Sequence, residues 1–66
     1  MLPGNVRKRV VREQKQLRNK IAKLISFIQD FIKIKNVSDL DFDLLKKQLL
    51  IMVEYDEILT KRLEAD

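Results

Sequence analysis

The sequence predicts an all-α fold: an antiparallel two-helix hairpin with an N-terminal helical overhang, assembled as a homo-oligomer. Three observations carry that prediction. The one proline and the one glycine, Pro3 and Gly4, stand at the very start, so neither helix-breaking residue type interrupts the chain from Asn5 to Asp66. Apolar residues recur at three- and four-residue spacing in two separate blocks. Between the blocks, "KNVSDLD" carries the stop and start signals of two helices.

The first helix is expected at about 5–35. Its apolar line runs Val10, Leu17, Ile21, Leu24, Ile28 and Phe31, with Gln14 filling the one gap. Asn36 suits a helix C-terminus. Ser38, Asp39 and Asp41 suit the start of a second helix, because their oxygens accept from free amide groups and their charge favours the positive end of the helix dipole. That second helix is expected at about 39–64, with Leu45, Leu49, Met52, Leu59 and Leu63 in line and Asp56 in the gap. The two helices form a single hairpin domain, residues 1–66.

Folding the hairpin about residue 38 sets positions summing to about 76 opposite each other, so that Leu17 meets Leu59, Leu24 meets Met52, Phe31 meets Leu45 and Gln14 falls near Leu63. Helix 2 ends there, and roughly the first nine residues become an arm without a partner in their own hairpin. Asp56 falls near Lys20 and Ile21. A carboxylate in a seam is costly unless paired, so Asp56 is expected to face a Lys or Arg, and with Gln14 to form a polar layer that fixes register.

The apolar arc of helix 2 is wide, from Phe42, Leu45, Leu49 and Met52 round to Leu44, Ile51, Tyr55 and Ile58, about 200° at 100° per residue. One partner helix covers about half of it. A 66-residue chain is also near the lower limit for a self-sufficient core, and with no Cys and no His it has neither a disulfide framework nor an ordinary zinc site as a staple. Self-association is the remaining device. No apolar run approaches the ~20 residues that span a bilayer and the start lacks a signal-peptide core, so a cytoplasmic protein without a membrane partner is expected.

Charge is divided unevenly. Residues 1–36 hold ten Lys or Arg against Glu13 and Asp30, while residues 37–66 hold four against eight acids, giving +8 and −4. Much of this suits a basic helix lying along an acidic one. Phase separates a smaller group: Arg9, Gln16 and Lys23 are seven apart on helix 1, as are Gln48, Tyr55 and Arg62 on helix 2, and both lines fall on one flank of the hairpin. Cations neutralise phosphate, a guanidinium grips it bidentately, and a tyrosine ring stacks on a base. Arg9, Lys23, Gln48, Tyr55 and Arg62 are therefore the candidate ligand-binding residues, Tyr55 competing with an ordinary packing role. Catalysis has no basis in the residues: there is no His or Cys, no Gly-rich phosphate loop, and no acids that phase would pair in a pocket. No cofactor and no metal is expected.

The segments "RVVREQKQLRNKIAKLISFI" and "DLDFDLLKKQLLIMVEYDEILTKRL" resemble the helical-hairpin sponge family of phage anti-CBASS proteins and their phage relatives. The resemblance covers about Arg9 to Leu63, and its more telling pieces are Lys23-Leu24 with Phe27-Ile28 and the series Gln48, Met52, Tyr55, Arg62. It implies a compact homo-oligomer, a hexamer, acting in the infected bacterial cell. It also implies that cyclic di- or trinucleotide messengers are sequestered without cleavage, so that the host effector never receives them. Family members stack a base on an aromatic near the start of helix 1, where this chain reads Asn5-Val6-Arg7-Lys8. Either Tyr55 or an Arg plane replaces that stack, or the chain binds something else.

Two function classes follow: a sponge for cyclic nucleotides with pockets between protomers, and a homo-oligomeric interaction protein that binds a host protein or a nucleic acid. Duplex binding is the weaker form of the second, because the acids of helix 2 repel phosphate; the basic arm alone would bind it in a strongly salt-dependent way.

Overall fold

The computed structural model describes residues 2–34 and 39–65, which form two α-helices, α1 (Gly4–Ile34) and α2 (Asp39–Glu64), packed against each other as a hairpin. Asn36 and Ser38, the expected stop and start residues, and Lys35, the expected last residue of helix 1, lie outside the described residues. The first helical bond runs from the Arg7 amide to the Pro3 carbonyl at 2.9 Å, so α1 begins directly after the lone proline. Lys33 in the last turn of α1 and Lys61 and Arg62 in the last turn of α2 place positive charge where the helix dipole is negative.

The seam between the helices is the one the apolar spacing predicts. Val10, Leu17, Ile28 and Leu59 are buried, and Ile21, Leu24, Phe31, Phe42, Leu45, Leu49, Met52 and Leu63 are half-buried. Leu17 and Leu59 share one cluster with Val10, and Leu59, at 0 % exposure, is its centre. The polar gap is filled as expected. Buried Gln14 donates through Nε2 to Thr60 Oγ1 at 2.6 Å and to the Asp56 carbonyl at 3.4 Å. Arg18 closes on the Asp56 carboxylate, with Nε 2.9 Å from Oδ1 and a second nitrogen 3.5 Å from Oδ2.

Register differs from the expectation. Gln14 faces Thr60 and Arg18 faces Asp56, both pairs summing to 74, and the Arg7 guanidinium donates to the Leu63 carbonyl at 3.3 Å, a pair summing to 70. The physical reason is where the two helices end and begin. The midpoint between the end of α1 at Ile34 and the start of α2 at Asp39 falls between positions 36 and 37, short of the expected 38. Each residue of pivot moves every cross-helix pair by two. α2 therefore reaches further along α1 than expected, and the overhang shrinks from nine residues to about one helical turn beyond Arg7. Val10 is buried at 3 % exposure, Leu2 and Val6 pack against the core, and Arg7 belongs to its own hairpin.

The result is a rod with extents of 48 × 15 × 12 Å. It exposes 5518 Å², against roughly 4,400 Å² for a compact monomer of 7.9 kDa. Part of that excess is apolar: Leu44, Ile51 (64 % exposed) and Ile58 on α2, with Phe27 on α1, lie open, and Phe27 stacks obliquely on Phe31 at 4.9 Å between ring centres. Among the described residues no helix is long and apolar enough to cross a membrane.

Candidate functional site

The hairpin brings the two ends of the chain together. Arg9, from the first third of α1, and Arg62, from the last turn of α2, line one groove with Val6, Val10 and Glu13. Its volume is about 340 Å³, at the small end of the ~300–1,000 Å³ of small-molecule sites. Val10 supplies a buried apolar floor and Val6 a half-buried wall, while the three charged side chains stand exposed above them. Arg9 and Glu13 are one turn apart on α1 and so share a face. Arg62 comes from α2 at the same level, since positions 9 and 62 sum to 71, inside the observed register.

Tyr55 joins the groove through Glu13. Its hydroxyl donates a hydrogen bond to Glu13 Oε1. That bond holds the phenol proton and pushes the Tyr55 pKa above its ordinary value of 10.0; partial loss of water and the nearby Glu13 charge act in the same direction, and Arg62 pulls weakly the other way. The carboxylate is thus held by a tyrosine, and neither guanidinium of the groove makes an ion pair or hydrogen bond among the described residues. Two guanidinium groups thus line the groove with a carboxylate that accepts from the Tyr55 hydroxyl.

Of the residues singled out by phase, Arg9, Tyr55 and Arg62 therefore meet around Glu13. Lys23 and Gln48 are exposed and level with each other, positions 23 and 48 again summing to 71. They stand about 21 Å along the rod from Arg9 and Arg62, at ~1.5 Å per residue. Within one hairpin the flank is two separate ends, and Lys23 does not share a groove with Arg62. Glu13 was missed by sequence reasoning, which counted it only as one of two acids set against the ten cations of residues 1–36. Its spacing of four from Arg9 was the available signal.

Among the described residues no group of three His, Cys, Asp or Glu is placed to hold a metal ion. The groove offers positive forks, one carboxylate, one phenol and an apolar floor. That set is chemically suited to an anion carrying hydrogen-bond donors.

The sequence model of the family described as Sequestin matches residues 5–65. No curated protein and no solved structure matches.

Proposed function

The chain belongs to the Sequestin family, and from that footing we propose that it is a phage-encoded sponge: it binds cyclic di- or trinucleotide immune messengers, holds them uncleaved, and so blocks CBASS-type signalling in the host cytoplasm. The family's name denotes sequestration. The observation that carries the reading to this ligand class is the pair of guanidinium groups, Arg9 and Arg62, that line one groove with the Tyr55-bound Glu13 and make no ion pair or hydrogen bond among the described residues. Phosphodiesters supply the acceptors those forks lack, each charge-assisted bond contributing roughly 1.5–3 kcal/mol.

A groove of about 340 Å³ accommodates only part of a cyclic dinucleotide, so the pocket is completed by a second protomer. The open apolar face of α2, Leu44, Ile51 and Ile58, supports such an assembly, a hexamer in this reading. In a complex of hairpins, the Lys23–Gln48 level of one protomer closes on the Arg9–Arg62 level of another and brings Lys23 and Arg62 to the same phosphates. Sequestration needs tight stoichiometric capture and no chemistry.

Titration calorimetry with a panel of cyclic di- and trinucleotides tests the proposal. Arg62→Ala and Lys23→Ala are expected to weaken the bound nucleotide by about ten- to a hundredfold each, and Lys8→Ala, outside the groove, to leave affinity within about twofold. Equal losses in all three would mean diffuse electrostatics in place of a pocket. Binding of none of the panel would remove the sponge reading and favour a surface for a host protein.

A further inference from the structure

We infer that the hairpin carries a second self-association face, on the flank opposite Tyr55. A second copy packs there about a two-fold axis along the rod, α1 of each copy lying on α2 of the other. Assembly through this face is independent of what the protein sequesters. The contacts between the helices mark two flanks. Tyr55 closes on Glu13 on one, with Leu44, Ile51 and Ile58 alongside by phase. Arg18 closes on Asp56 on the other. There Val11, Ile25 and Ile32 stand in line with Arg18 at seven-residue spacing on α1, and Val53 stands seven residues before Thr60, which accepts from Gln14. Leu50 is one turn from Val53. All five aliphatic residues are open, from 38 % exposure at Val53 to 63 % at Leu50.

Area and charge choose the occupant. A flank of 48 × 15 Å offers roughly 700 Å², close to the ~800 Å² per partner of a standard interface. Its α1 edge carries Arg7 and Arg18 and no acid. Its α2 edge carries Glu57 and Glu64, which make no ion pair among the described residues, while Lys46 is engaged by Asp43. The flank is therefore complementary to itself when α1 lies on α2. With the two-fold along the rod, both copies point the same way, and the second copy's α2 lies beside α1 at the level of α1's own partner. Arg18 then meets Glu57 of the second copy, Ile25 meets Leu50 of the second copy, and Arg7 stands near Glu64 of the second copy, with no shift along the axis. Turning the second copy end for end lays α1 on α1 and sets the cations against each other. The first arrangement gives every helix of the resulting four-helix bundle antiparallel neighbours.

Two measurements on the full chain test this. Light scattering compares Ile51→Lys, which blocks the Tyr55 flank, with the same variant carrying Leu50→Lys. The first is expected to remain a dimer, at twice 7.9 kDa, and the second to fall to the monomer mass. Because the chain has no cysteine, cross-linking reads the orientation directly. Ile25→Cys and Leu50→Cys chains, mixed and treated with a short bismaleimide, are expected to give a mixed dimer in far higher yield than either variant gives alone. Ile51→Lys already at 7.9 kDa, or a dimer that Leu50→Lys leaves intact, would overturn the second face. Ile25→Cys alone cross-linking better than the mixture would overturn the orientation, and with it the inference. None of these results bears on the sponge reading, which stands or falls on ligand titration.

Discussion

The Arg18–Asp56 pair offers the sharpest test of how this hairpin holds its register. Among the described residues Asp56 is the only acid in the seam of α2, its side chain 20 % exposed, while Arg18 is 61 % exposed. Exposed ion pairs contribute about 0.2–1 kcal/mol, and removing one partner of a fully buried pair costs about 3–5. This pair has one nearly buried and one wet partner, joined by a fork, so Arg18→Ala is expected to cost about 1–2 kcal/mol. At this chain length each kcal/mol moves the thermal midpoint by roughly 4–8 °C. A double-mutant cycle with Arg18→Ala, Asp56→Ala and the double variant, by urea unfolding at fixed protein concentration, should give a coupling of about 1 kcal/mol that falls as salt is added. Losses that add within about 0.3 kcal/mol would refute the reasoning.

Other predictions follow from the same contacts. Leu59→Ala removes the side chain at the centre of a core with few buried residues and should cost about 2–5 kcal/mol, enough to leave the chain largely unfolded by circular dichroism. Tyr55 is the one tyrosine, so tyrosinate absorbance reports it alone. Its pKa is raised by Glu13, so its midpoint should lie above 10 and return towards 10 in Glu13→Gln. A raised pKa in the folded state makes the Tyr55 contribution complete below the unfolded value of about 10; it is lost as pH rises from there through the folded value. Ile51→Lys places a charge on the open apolar face of α2 and should lower the mass seen by light scattering towards 7.9 kDa; an unchanged mass would place the interface elsewhere, and a parent already at that mass would remove the oligomer.

The seam was legible because a helix repeats every 3.6 residues, so Val10, Leu17, Ile28 and Leu59 announced their burial by spacing alone. Gln14 and Asp56 stood out as polar residues in that line, and their layer could be anticipated. Register was not legible to better than a turn. It depends on where the chain reverses, and periodicity within each helix contains no information about that pivot. The same shift explains why Arg7 and Val6 joined the hairpin. Phase put Arg9, Tyr55 and Arg62 on one flank, but how far along the rod they can act together is set by register and side-chain length. Glu13 remained hidden because its hydrogen-bond partner is a hydroxyl on the other helix.

Recovery of bound messenger tests the central claim most directly. The protein, incubated with a cyclic nucleotide that it binds by calorimetry, is separated from free ligand by gel filtration, heat-denatured, and the released material identified by chromatography and mass spectrometry. The account predicts co-elution at a fixed ratio per assembly and release of the intact cyclic nucleotide. Linear or monomeric products would contradict a sponge, and so would the failure of every cyclic nucleotide tested to co-elute.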